Sequence, residues 1–138
     1  MIKVAFYLLV AFASMSSFAA ERFDDAFKCD QSATSFFTDL VQRNLIKIPP
    51  STTNDQSISF FETTTPATVF GMQVVLVLGY VPGQAMFVTR PVVATERFGV
   101  VVKEGIANVQ AQLNSMGAMK AKTRRFDSQT TAISCEVN

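Results

Sequence analysis

The residues from Thr68 to Tyr80 contain no charged side chain and are dominated by Val, Leu and Phe. A stretch this apolar must either cross a membrane or be covered by protein on both sides. A span needs about 20 apolar residues, and this one stops at Val81-Pro82-Gly83-Gln84, whose central Pro-Gly suits a type II turn. The stretch is therefore read as a central β-strand buried on both faces. The turn is read as leading into a hairpin partner over Ala85–Arg90.

The neighbouring segments supply what such a strand needs. Ser57 to Thr64 alternates as a strand, with Ile58, Phe60 and Glu62 on one side and Phe61 on the other. Phe98 to Val102 predicts a further short strand. Upstream, Phe36, Phe37, Leu40, Val41, Leu45 and Ile48 recur at three- and four-residue steps. That period predicts a helix over 32–46, with Asp30, Gln31 and Ser32 as N-cap candidates and Pro49-Pro50 as its stop. Phe23 to Cys29 reads as an extended arm. Downstream, Ile106, Val109, Leu113 and Met116 form the apolar stripe of a second helix, and Gly117 is its expected C′ residue. Met119–Phe126 and Thr130–Val137 predict a final hairpin around Asp127-Ser128-Gln129, with a bulge because their apolar residues do not fall on one face. The order α-β-β-β-(β)-α-β-β predicts an α+β two-layer sandwich, a largely antiparallel sheet with helices on one face.

The N-terminus points to an address. Lys3 precedes the apolar run Val4 to Ala13, the polar Ser14 to Ser17 and the small-residue exit Ser17-Phe18-Ala19. These are the parts of a secretion signal, expected over residues 1–19 with cleavage after 19 or 20. A single globular domain is then expected over 20–138. Cys29 and Cys135 are the two cysteines, and in an oxidising compartment they predict one disulfide. The expected location is periplasmic or secreted, in a bacterial envelope, with no membrane span in the mature chain.

Charge and residue types narrow the chemistry. The chain has 12 Lys and Arg against 11 Asp and Glu, and Lys3 leaves with the signal, so no electrostatic footprint for nucleic acid is expected. The chain contains no histidine. Ser-His-Asp and Cys-His arrangements are thereby excluded, and two cysteines cannot complete a Cys₄ zinc site. No Gly-rich phosphate loop, nucleophile elbow or calcium loop occurs, and no metal or cofactor is expected. Paired carboxylates drawn from Glu62, Glu96, Glu104, Asp39 and Asp55, or a Ser-Lys dyad, are what remains for a small hydrolase, and nothing in the spacing brings two of them together.

What the residues favour is binding without catalysis. Adjacent Phe60 and Phe61 point to opposite faces of a strand, and an exposed ring would mark a contact surface. With the loop and hairpin charges, the candidate partner surface is Phe61, Glu96, Arg97, Lys122, Arg124 and Arg125. The expected function is an exported, non-catalytic binding protein of the inhibitor or immunity type that engages another protein. The alternative is a structural or chaperone-like component that self-associates.

Overall fold

The computed structural model describes residues 20–136. The expected signal segment, 1–19, lies outside the described residues, as does Val137 at the end of the last expected strand. The described chain is mixed α/β, with two helices and a mostly antiparallel sheet.

The first helix, α1, runs Ala33–Gln42, and its N-cap is Ser32, whose Oγ accepts the Ser35 N–H at 3.0 Å. It ends four residues earlier than the periodicity predicts, and the prolines are not the cause. Asn44 adopts a left-handed conformation (φ 53°), and the Leu45 N–H donates back to the Leu40 carbonyl at 2.9 Å. Ile46 then bridges to Thr63. The second helix, α2, spans Ile106–Ser115, and Gly117 takes the left-handed position beyond its end. Val109 and Leu113 are buried, whereas Met116 is exposed.

Eight strands make one sheet: β1 Glu21–Arg22, β2 Thr52–Thr53, β3 Ser59–Phe61, β4 Ala67–Val69, β5 Met72–Tyr80, β6 Arg97–Val102, β7 Lys122–Arg125 and β8 Thr131–Glu136. The main path is β1-β4-β5-β6-β8-β7, and β2 and β3 extend it beside the second half of β5. Among the described strands only β1 and β4 run parallel. Phe23 to Cys29 is not an extended arm; Asp24–Lys28 forms a 3₁₀ turn that buries Phe27.

Three expectations about strands are corrected. The uncharged stretch is not one strand but a hairpin, β4–β5, turning at Phe70-Gly71. Both residues have positive φ (48° and 78°), as a two-residue turn matched to strand twist requires, and Gly71 meets that demand without steric cost. Phe70 is held there by its own amide, which donates to Asp24 Oδ1 at 2.8 Å, and by its carbonyl, which accepts from Gln112 Nε2 at 3.1 Å. Second, Ala85–Arg90 is not a strand. Both edges of β5 at Val77–Gly79 are already taken, by β3 on one side and β6 on the other. The chain over 81–96 instead drops Phe87 into the core, against Phe37 at 4.9 Å and Phe61 at 5.6 Å between ring centroids. Third, β7 and β8 pair in unbroken register. The irregularity falls between β5 and β6, at Val74/Leu76, and leaves Val75 42% exposed.

The main core lies between the helices and one face of the sheet, here the inner face. Phe36 and Phe37 of α1 and Val109 and Leu113 of α2 pack there with Val77, Phe98, Val100 and Ile133. Phe36 stacks on Phe98 with centroids 4.5 Å apart. Gly79 is glycine because a Cβ there would stand 2.4 Å from the Phe37 ring. Cys29 and Cys135 are bonded to each other, tying the end of the 3₁₀ turn to β8.

Candidate functional site

The opposite, outer face carries no helix among the described residues. It carries a small apolar cluster of Ile58, Leu78 and Val101, flanked by Phe60, Leu76, Ala94 and Ala132. Alternation along β6 and β8 puts Arg97, Gly99 and Val101 on this face, beside Ala132, Ser134 and Glu136. The middle of the face is therefore built from small side chains, and a groove of about 450 Å³ opens over it. Phe60 and Phe126 stand at its side with centroids 5.6 Å apart, and Arg97, Arg124 and Arg125 line it together with Asp55.

The position of Phe126 explains why a bulge was expected in the last hairpin. Its ring belongs to the outer face with Phe60, while Ile133 and Cys135 of β8 belong to the inner core. The two strands are regular, and their apolar residues serve different faces.

Charges across the groove are partly matched. Glu136 takes Lys122 Nζ at 2.8 Å and Arg97 at 3.5 Å. The Lys122 hydrogen bond, with the nearby Arg97 charge, holds the Glu136 carboxyl below its usual value against the opposing effect of burial. Arg124 and Arg125 make no salt bridge among the described residues. A larger cavity, about 590 Å³, lies by the disulfide, but the ionic groups lining it pair off, Lys120 with Asp30 at 3.4 Å and Lys122 with Glu136. Unmatched positive charge thus distinguishes the outer groove.

Of the six residues singled out from the sequence, Arg97, Arg124 and Arg125 come together at this groove. Lys122 adjoins it through Glu136. Glu96 is half-buried immediately before β6 and does not line the groove. Phe61 is a correction: it is 0% exposed, packed on the inner face against Phe37 and Phe87, and presents no ring outward. Phe60 is the outward member of the pair. Alternation shows that one ring must face away from the other, but not which; the same alternation put Ile58 on the side of Phe60, whereas Phe126 carried no signal of its own.

Three of the carboxylates considered for hydrolysis are engaged with other side chains. Asp39 pairs with Arg43, Glu62 with Lys47, and Glu104 accepts from Asn108 at 3.5 Å, while Asp55 lies in the loop after β2. Among the described residues no group of three or more His, Cys, Asp and Glu is placed to hold a metal. Asp127 is also held below its usual value, by the Gln129 and Thr130 groups that hydrogen-bond it in the β7–β8 turn. Comparison with known protein families, with curated proteins and with solved structures finds no match for this chain.

Proposed function

We propose that this is an exported, non-catalytic binding protein that engages another protein through the outer face of its sheet. The observation that carries the reading is the helix-free groove in which Phe60 and Phe126 stand beside Arg124 and Arg125, cations without an ionic partner among the described residues. Aromatic and Arg side chains around a small apolar floor are what protein interfaces concentrate at their energetic centres. The excess positive charge selects a partner with an acidic contact surface. The paired cysteines suit an oxidising compartment. No helix among the described residues is long and apolar enough to cross a membrane. Both are compatible with a periplasmic or secreted protein.

Affinity capture tests this reading. The oxidised chain is used as bait in an envelope extract, alongside Phe60→Ser and the double change Arg124→Glu with Arg125→Glu. One foreign protein is expected in near-equal amount with wild type, with recovery reduced at least about tenfold by either variant. Recovery of only further copies of the chain would replace the reading with self-assembly. Equal recovery by all three baits would move the interface elsewhere.

A further inference from the structure

β7 ends the sheet, and no described strand pairs with its outer edge. The Phe126 N–H donates to the Thr130 carbonyl at 3.0 Å, in the same register that sets Arg124 opposite Ala132 and Lys122 opposite Ser134. In an antiparallel ladder, residues bonded to the partner alternate with residues whose N–H and C=O point away. Lys122 and Arg124 therefore bond to β8, and Thr123 and Arg125 direct their backbone groups at the free edge.

Beside that edge, on the inner side, α2 and β7 enclose a cleft of about 250 Å³ lined in part by Leu113, Ala118, Ala121 and Thr123. Met119 stands at it 77% exposed, and a thioether on a flexible chain adapts readily to an incoming side chain. On the outer side of the same edge lie Lys122 and Arg124. An extended segment laid along β7 would meet two different environments with alternate side chains: an apolar cleft on one side and cations on the other.

We propose, building on the binding-protein reading, that the partner contributes an extended segment of alternating acidic and apolar residues that adds to the sheet along β7. Its backbone pairs with Thr123 and Arg125, its apolar side chains enter the α2–β7 cleft, and its carboxylates face Arg124 and Lys122. Addition of a strand to an exposed edge draws affinity from main-chain bonds and specificity from alternate side-chain positions. A second copy of this chain is a poor occupant, because two β7 strands laid together would set cation against cation.

The probe is a terminally blocked Glu-Val repeat peptide, with a Lys-Val repeat as its counterpart, added to the full oxidised chain. At low salt the Glu-Val peptide is expected to bind about tenfold more tightly than the Lys-Val peptide. It should slow amide hydrogen exchange at Thr123 and Arg125 while leaving Lys122 and Arg124 unchanged. Arg124 is exposed, so Arg124→Glu is expected to keep the fold and to abolish the peptide preference, since Lys122 would then stand beside a carboxylate. No binding, equal binding of both peptides, or protection that spares Thr123 and Arg125 would overturn the proposal. So would slowing of those two amides by rising protein concentration alone, which would put a second copy on the edge. A captured partner whose footprint covers Phe60 and Arg97 while Thr123 and Arg125 still exchange freely would remove edge pairing and leave the open-face reading. Peptide protection of the edge without any captured partner would do the reverse.

Discussion

The two faces of this sheet are built from alternate residues of the same strands, yet they solve different problems. Along β6 the inner positions are Phe98, Val100 and Val102, and the outer ones are Arg97, Gly99 and Val101. Along β8 the inner positions are Thr131, Ile133 and Cys135, and the outer ones are Ala132, Ser134 and Glu136. Bulky side chains inside interlock with helix residues and exclude water over a wide area. Small side chains outside leave a shallow floor with charge and aromatic rings at its margin. One face is filled by this chain's own helices, and the other holds a shallow groove.

That contrast should appear first in stability. Phe37 is fully buried and packs on Phe36, Phe61 and Phe87. Phe37→Ala is expected to cost about 3–5 kcal/mol in urea unfolding, whereas Phe60→Ala, half-exposed on the outer face, should cost about 1 kcal/mol. Equal losses would mean that the outer face is as much a part of the folding core as the inner one.

The disulfide belongs to the inner side of the comparison. It joins residues 106 apart in sequence, and Cys135 is packed with the main core. Replacing both cysteines by serine is expected to destabilise the chain by about 2–4 kcal/mol, since the open chain regains conformational freedom in the unfolded state. Edge-peptide binding, measured where the variant is still folded, should be unaffected. A loss of binding without a loss of stability would tie the bridge to the contact surface instead.

The inner face was more legible in the sequence than the outer one. The first helical stripe is buried at Phe36, Phe37, Leu40 and Leu45 but exposed at Val41 and Ile48, and the second is buried at Val109 and Leu113 but exposed at Met116. Period alone thus marks the centre of each helix face and not its ends. Two cysteines in a chain with a signal-like start announced their pairing. Other features are decided by long-range competition that no local pattern encodes. Ala85–Arg90 has strand-like composition, but the place it would fill beside β5 is held by β3 and β6. Phe70 has no local reason to turn left-handed; Asp24 and Gln112, distant in sequence, supply the bonds that keep it there. For the groove, Arg97, Arg124 and Arg125 could be singled out as charges, but its rings could not. The choice of Phe60 over Phe61 depends on which side the helices cover.

The smallest expected effect separates the faces by pH. Glu136, on the outer face, has its folded-state pKa lowered, chiefly by Lys122 and further by Arg97. A carboxylate lowered in the folded state contributes stability that is complete above its unfolded value, about 4.3 for Glu, and is lost as pH falls through the folded one. Its side chain is partly open to solvent, so the contribution is screened and should stay below about 1 kcal/mol. The stability difference between wild type and Glu136→Gln should therefore be flat at neutral pH and shrink on acidification. The cost of Phe37→Ala should stay constant over the same range, because it comes from apolar packing alone. A Glu136→Gln difference that does not change with acid would show that Lys122 and Arg97 are not engaged with this carboxylate in solution. The outer face would then present three unmatched cations, Arg97, Lys122 and Arg124, and the preference of the β7 edge for an acidic strand should become stronger.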